Sequence, residues 1–284
     1  MSAPHSAALR RFVRNPTALG GLLFLTMITV LALLAPWLYP GDPLAMEADA
    51  LLWPGQDWHY PLGTDVLGRD VMAGVVHGGR VSLLVGLLAS LFGVSLGLGI
   101  GALAGYRGGR VDYALQRLIE IFQTMPSFVL LVALVAIAQP SVPTLVLAIG
   151  TISWPTVARL VRAEVRSIRQ REYILAARSV GYSHWRIIAV EVLPNILPTL
   201  IVTTSIMVAS AVLMESALSF MGLGDPNQVS WGSMIGSGRE QIRTAWYLTA
   251  IPGLAIFLTV LAFNLMGDGL TDAFNPHQPH RKPS

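Results

Sequence analysis

The amino-acid sequence predicts an all-α, polytopic membrane protein with six transmembrane helices, and three observations support this fold class. Hydrophobic residues make up 53% of the 284 residues, whereas charged residues make up only 12%, about half the share in ordinary soluble domains. Apolar runs long enough to cross a bilayer recur along the chain. Most arginines and lysines collect on one side of these runs, as they do in the cytoplasmic loops of membrane proteins.

Five uncharged runs carry the predicted spans, namely residues 15–41, 81–106, 121–158, 192–214 and 244–267. The third run is too long for one crossing, and its central sequence QPSVP, at 139–143, is typical of a turn between two spans. The first run follows the basic sequence RRFVR, as a signal peptide would, but it exceeds the ~7 to 15 apolar residues of a signal peptide. We therefore predict that it is retained, which gives six helices.

The distribution of basic residues predicts the orientation of the chain. With a cytoplasmic N-terminus, all 19 basic residues lie inside except Arg69, Arg80, Arg239 and Arg243. We therefore predict a multi-pass membrane protein with both termini in the cytoplasm. The predicted divisions are a cytoplasmic segment (1–14), a first transmembrane helix with an external segment (15–78), a core of five transmembrane helices with a cytoplasmic loop at about 164–194 (79–272), and a cytoplasmic tail (273–284).

Several classes of function find no support in the sequence. The absence of cysteine excludes disulfides, thiolate nucleophiles and cysteine-bound metals. The six histidines are not spaced as metal ligands, and no phosphate-binding GxxxxGKS or GxxxxGKT loop is present. Asp65 and Asp70, in the outer sequence GTDVLGRD, fit a turn better than an ion site. We predict no catalytic residue, metal or cofactor in this chain, and we attribute its basic composition to orientation rather than to nucleic-acid binding.

A series of glycines marks one face of the second predicted span. Gly93, Gly97, Gly101 and Gly105 are four residues apart, so they lie on the same side of a helix and allow another helix backbone to approach closely. Helix packing is the simpler interpretation, and a moving or pore-lining role is the alternative. The sequence leaves open whether the neighbouring helix belongs to this chain or to a partner.

Three further residues are candidates for a translocation path. Pro126 and Pro155 lie inside predicted spans, where each removes a backbone donor and is expected to bend its helix, either as a hinge or as fixed shape. Glu215 lies ~20 residues into the fifth span, near its outer boundary. It either lines a substrate entrance or extends to water. Glu120 is three residues from Arg117, and an ion pair on one helical face accounts for it.

The cytoplasmic loop has a helical pattern of its own. Residues 172–179 are good helix formers, Gly181 suits the left-handed position that ends a helix, and Ser183 is placed to cap a second helix running toward Pro194. Small side chains at Ala176 and Ala177 would lie beside the protruding Tyr173, Arg178 and Tyr182. Such a helix fits either a groove on a partner protein or an anionic membrane surface.

The loop residues Ala176, Ala177 and Gly181, followed by Leu193 and Pro194, resemble the EAA loop of ABC-importer permeases. Leu175 replaces the first Glu of that motif, with Glu172 three residues earlier, and Glu191 stands where Ile is common. Further stretches resemble the dipeptide/oligopeptide/nickel permease family, and its C-type subunit most closely, over about residues 10–277. They are GTDVLGRD (63–70), SWPTVARLVRAEV (153–165), ESALSFMGLG (215–224), SWGSM (230–234) and PGLAIFLTVLAFNLMGDGL (252–270). The pair Ala73-Gly74 departs from the Ser-Arg usual in the family.

This resemblance implies an ABC type I importer permease in a bacterial or archaeal inner membrane, which moves short peptides, or else nickel chelates, opines or other small solutes. It implies four partners besides lipid: a second, B-type permease subunit, two cytoplasmic ABC ATPases that bind ATP and Mg, and an extracytoplasmic solute-binding protein. The residues implied in ATPase coupling are Glu172, Tyr173, Ala176, Ala177, Arg178, Gly181, Tyr182, Leu193 and Pro194. The alternative classes are a secondary transporter driven by an ion gradient and a membrane enzyme, but the sequence shows no internal repeat and no credible acid/base pair.

Overall fold

The computed structural model describes residues 10–274, which form helices joined by connections, of which residues 39–70 form the longest. Residues 10–14 are helical, and nine helices follow: α1 (Pro16–Leu38), α2 (Val71–Arg107), α3 (Gly109–Thr124), α4 (Ser127–Ala138), α5 (Val142–Arg169), α6 (Glu172–Ser179), α7 (His184–Phe220), α8 (Trp231–Gly238) and α9 (Tyr247–Phe274). Within this range, five helices are long and apolar enough to cross a membrane, or six if α3 and α4 together form one span. The predicted fold class is confirmed.

The third predicted span is not one straight helix. Its helix begins at Gly109, earlier than the predicted residue 121, and α3 meets α4 at an angle of 85°. Met125, which separates them, is extended with φ −83° and ψ 138°, because the ring of Pro126 disfavours helical backbone at the preceding residue. The predicted turn at 139–143 is present between α4 and α5, where the hydroxyl of Ser141 accepts from the amide of Thr144 at 3.3 Å.

The fifth span begins earlier than predicted, because the predicted cytoplasmic helix and the span that follows it are one continuous helix, α7. Ile187–Val192 forms a π-helical segment within it, and the amide of Leu193 donates to the carbonyl of Ile188, five residues back. A wider π turn relieves the clash between the ring of Pro194 and the preceding turn. Since α5 also continues to Arg169, the connection between α5 and α7 spans only residues 170–183.

The glycine face of α2 packs against α5 of the same chain, which answers the question that the sequence left open. A Cβ atom added at Gly101 would lie 2.5 Å from the carbonyl oxygen of Ala158, and one added at Gly105 would lie 2.7 Å from that of Arg162. Gly93 and Gly97 are buried against the same helix. Because glycine has no side chain, the backbones of α2 and α5 can approach each other closely.

The segment between α1 and α2 is held by hydrogen bonds to the start of α9. The hydroxyl of Tyr247 is shared between the carbonyl oxygens of Leu52 and Thr64, each at 2.9 Å. The carboxylate of Asp65 accepts from the amides of Leu67 and Arg69, and Asp70 caps α2. GTDVLGRD is therefore a turn, as predicted, and residues 10–274 contain no cluster of three or more potential metal ligands.

Candidate coupling and transport site

The connection between α5 and α7 is a structured helical hairpin around α6. The amide of Tyr182 donates to the carbonyl of Ala177 at 3.1 Å, and the amide of Gly181 donates to that of Arg178 at 2.9 Å. This pair of bonds is the Schellman arrangement that ends helices, and Gly181 takes the left-handed φ of +87° that it requires. Ser183 then caps α7 by accepting from the amide of Arg186 at 3.3 Å. The predicted helix end and cap are both confirmed.

The inner side of α6 is anchored to the ends of the transmembrane helices. Ile174 of α6 and Ile187 of α7 are fully buried in one apolar cluster with Val165 and Ile168 of α5. Full burial of such a side chain contributes about 1.5–3 kcal/mol. A displacement of α6 must therefore move either α5 or α7, or else break this cluster.

Tyr106, at the end of α2, adds a polar link to the same hairpin. Its hydroxyl lies 3.0 Å from Nδ1 of His184, and the guanidinium of Arg178 lies over its ring at 5.1 Å from the centroid. The predicted coupling residue Arg178 therefore faces inward, toward α2. This contact joins α2 to both α6 and α7.

The face of the hairpin that points away from the transmembrane helices is exposed and carries several large apolar side chains. Glu172 and Ala176 are exposed on it, together with Tyr173 and Tyr182, which are 39% and 38% exposed. Sequence reasoning missed Val180 and Trp185, which are 76% and 79% exposed. Large apolar residues in a polar loop were the available signal. An exposed apolar patch of this kind is typical of a protein or membrane contact.

The remaining predicted coupling residues differ in their exposure. Leu193 packs against the buried cluster of Ile174 and Ile187, whereas Pro194 is exposed beside the π turn of α7. Ala177 packs inward as well. The EAA-like residues therefore divide into an outward surface on α6 and a supporting group at the start of α7.

The break between α3 and α4 places polar groups along an exposed face. Gln123, just before the break, accepts a hydrogen bond from Arg159 of α5 at 3.3 Å. Arg117 and Glu120 form the predicted ion pair at 2.7 Å. Pro126 is exposed, but Pro155 is buried inside α5. Unpaired backbone at membrane depth is tolerated where it lies against protein or water, so this face is suited to a partner contact or an aqueous path.

Glu215 lies between helices, with no exposed surface. Its carboxylate accepts hydrogen bonds from Ser82 of α2 at 2.8 Å and from Ser219 at 2.7 Å, and a longer one from Ser216 at 3.4 Å. Extension of the side chain to water does not occur in this conformation. The prediction that Glu215 takes part in the translocation path stays a prediction.

Comparisons with known proteins agree over most of the chain. Residues 97–278 match the family described as binding-protein-dependent transport system inner membrane component, and residues 4–54 match the N-terminal TM domain of oligopeptide transport permease C. A di/tripeptide transport system permease protein of Pseudomonas aeruginosa (strain UCBPP-PA14) is 43% identical over 271 residues, which cover 93% of this chain and 89% of that protein. An oligopeptide transport system permease protein of Haemophilus influenzae is 35% identical, covering 95% of this chain and 87% of that protein.

A solved structure shares the fold. The MetNI methionine ABC transporter in an inward-facing conformation matches with a TM-score of 0.61 at 19% identity, over 72% of this chain and 97% of that chain. The predicted ABC importer permease fold is confirmed by this similarity.

Proposed function

The chain belongs to the family of binding-protein-dependent transport system inner membrane components. On that premise we propose that it is one of two permease subunits that together form the path by which short peptides enter the cytoplasm. As a member of that family it is an integral inner-membrane permease subunit of an ABC importer, and it works with ATPase and other subunits. The observation that carries the peptide assignment is the 43% identity to a di/tripeptide permease over nearly the whole chain.

The complete transporter contains, in this proposal, a second permease subunit of the B type, two cytoplasmic ABC ATPases and an extracytoplasmic solute-binding protein. ATP and Mg bind to the ATPases and not to this chain. Both termini and α6 lie in the cytoplasm, which the bias of arginine toward that side supports. The substrate path runs between the two permease subunits, along the exposed break of α3 and α4.

Coupling to ATP hydrolysis begins at the exposed face of α6, which points away from the transmembrane helices. Tyr173, Val180, Tyr182 and Trp185 supply an apolar surface that fits a cleft on an ATPase. When ATP closes the ATPase pair, α6 is displaced, and the buried contact of Ile174 with Ile187 transmits this displacement to α5 and α7. The ATPase thereby biases an equilibrium between inward-facing and outward-facing arrangements, as coupling requires.

Transport into proteoliposomes tests this function. The chain, its B-type partner and the two ATPases would be reconstituted together, and uptake of labelled di- and tripeptides would be measured with the binding protein present. We expect uptake to require ATP on the side of the membrane where the ATPases lie. Uptake should continue without any ion gradient. Uptake driven by a proton or sodium gradient in vesicles without ATPases would show instead a secondary transporter.

The substrate class has its own test. The binding protein would be purified gently, and its retained solute identified by mass spectrometry. We expect peptides of two to several residues. A retained nickel chelate or opine, with no peptide competing for it, would contradict the peptide assignment while leaving the ABC importer assignment intact.

A further inference from the structure

An arginine-lined cavity of about 500 Å³ lies where α2 gives way to α3, beside the end of α5 and the inner side of α6. Arg166 and Arg169 enter it from α5, and Arg178 enters it from α6. Asp112 of α3 is the one acidic residue that lines it. The cavity therefore brings three cations from two separate helices into one space.

The acid in this cavity is already engaged. Asp112 forms a two-pronged ion pair with Arg162, in which one contact measures 2.9 Å, and both side chains are largely buried. Among the described residues, Arg166, Arg169 and Arg178 have no ion pair with a carboxylate. Because a charge-neutral pair such as Asp112–Arg162 offsets little of the remaining charge, the cavity keeps a strong positive potential.

The start of α3 adds to this potential. No side chain caps the first turn of α3, so its free amide groups and the positive end of the helix dipole are open. Gly108 has φ +68°, and a Cβ atom there would lie 2.7 Å from Nη1 of Arg169. Glycine therefore lets this guanidinium lie against the start of α3, where Asp112, already paired with Arg162, is the one acid in the first turn.

Arg178 provides an independent sign of a missing acceptor. Its Nε atom is buried and has no hydrogen-bond partner among the described residues. Leaving a buried donor unpaired costs about 1–3 kcal/mol, and more for a charged group. Arg178 also lines the cavity, and a guanidinium fork suits tetrahedral oxyanions in particular.

We propose that this cavity binds a phosphate group, held by Arg166, Arg169 and Arg178 together with the first amides of α3. The phosphate comes either from the headgroup of an anionic lipid or from free inorganic phosphate, since both present the same oxygens to the site. By linking Arg178 of α6 to the two arginines of α5, the bound group holds the α6 hairpin against the transmembrane helices. This inference is independent of which solute the transporter carries.

The test uses the intact transporter complex in a non-ionic maltoside detergent, which supplies no phosphate of its own. Binding would be measured as a shift in thermal unfolding during titration with short-chain phosphatidylglycerol, with inorganic phosphate, or with sodium chloride at equal ionic strength. The test variant is Arg166→Gln with Arg169→Gln. The control is Arg107→Gln with Arg110→Gln, which removes the same charge from nearby positions that do not line the cavity.

We expect a saturable shift with at least one phosphate probe and none with sodium chloride. In the test variant the dissociation constant of the probe should rise by about tenfold or more, and a tenfold rise corresponds to 1.4 kcal/mol. In the control variant the dissociation constant should stay near the wild-type value. A response to phosphatidylglycerol alone identifies a lipid headgroup, and a response to inorganic phosphate identifies a free anion. No saturable shift, or equal weakening in both variants, would overturn the proposal. Folding of each variant is checked by its unfolding transition without probe.

Discussion

Ser82 of α2 donates a hydrogen bond of 2.8 Å to the carboxylate of Glu215 in α7, although the two residues are 133 positions apart in the chain. The hydroxyl of Ser82 also accepts from the amide of Trp231, at the start of α8, over 3.4 Å. Glu215 and Ser82 together therefore link α2, α7 and α8, because buried hydroxyl and amide donors need acceptors that apolar neighbours cannot supply.

Replacing Glu215 tests the energetic weight of this network. We expect Glu215→Ala to lower the free energy of unfolding by about 1–3 kcal/mol, because it leaves buried hydroxyl groups without an acceptor. Glu215→Gln should lose less, since its amide oxygen still accepts. Thermal or denaturant unfolding in detergent measures both changes. The matched control is Ser210→Ala on the same helix, whose exposed hydroxyl bonds only to its own helix, and a loss there as large as in Glu215→Ala would contradict the network.

Two glycines of α2 test the close contact with α5. Gly101→Ala should destabilise the protein, because its new Cβ atom meets the backbone of Ala158 at 2.5 Å. Gly99→Ala should instead be neutral or stabilising by up to about 1 kcal/mol, because that exposed position has no neighbour within 4 Å and alanine favours helix. The unfolding midpoints of the two variants, each compared with that of the wild type, measure both effects. Equal effects would mean that α2 and α5 do not pack as described.

Gly181 and Gly222 form a matched pair at opposite ends of the bundle. Each follows a helix with a positive φ, of +87° and +82°, and each has open space around it. An alanine at either position costs roughly 1–2 kcal/mol of backbone strain. We expect both variants to lose similar stability, but only Gly181→Ala to raise the ATP hydrolysed per peptide transported in proteoliposomes. Similar coupling ratios in both variants would remove Gly181 from the coupling mechanism.

Pro126 tests whether the bend of 85° matters for transport. Pro126→Ala restores a backbone donor and frees Met125 to become helical, so α3 and α4 gain the option of a straighter path. We expect peptide uptake to fall while assembly with the ATPases is retained. Pro16→Ala is the control, since Pro16 lies in the first turn of α1, where a missing donor costs nothing. Undiminished uptake by Pro126→Ala would show that the bend is dispensable.

Much of the fold could be predicted from local features of the sequence. The composition and apolar runs predicted the helices, Gly181 and Ser183 predicted how the hairpin turns, and the spacing of the α2 glycines predicted a close helix contact. The partner of that contact could not be predicted, because periodicity describes a helix face but not what packs on it. The buried partners of Glu215 were missed for the same reason, since Ser82 becomes its neighbour only after α2 and α7 pack.

The backbone geometry at the prolines could not be predicted in full from the sequence either. The proline at 126 predicted a bend but not its angle, which depends on how α4 packs on α5. Pro194 suggested the end of a helix, whereas the π turn lets α7 continue through it. The coupling residues were recognised by resemblance, but which of them face outward depends on the Schellman turn and on the burial of Ile174.

Site-specific crosslinking in the assembled transporter measures directly whether the exposed face of α6 contacts an ATPase. The chain has no cysteine, so Val180→Cys and Trp185→Cys each introduce a single reactive group, and Trp58→Cys, 98% exposed in the outer segment, provides the control. We predict that short bifunctional reagents join positions 180 and 185 to an ATPase subunit, more efficiently in one nucleotide state than in another, and that position 58 yields no such product. Products formed with lipid alone from positions 180 and 185, or labelling of these positions from outside the cell, would contradict the account.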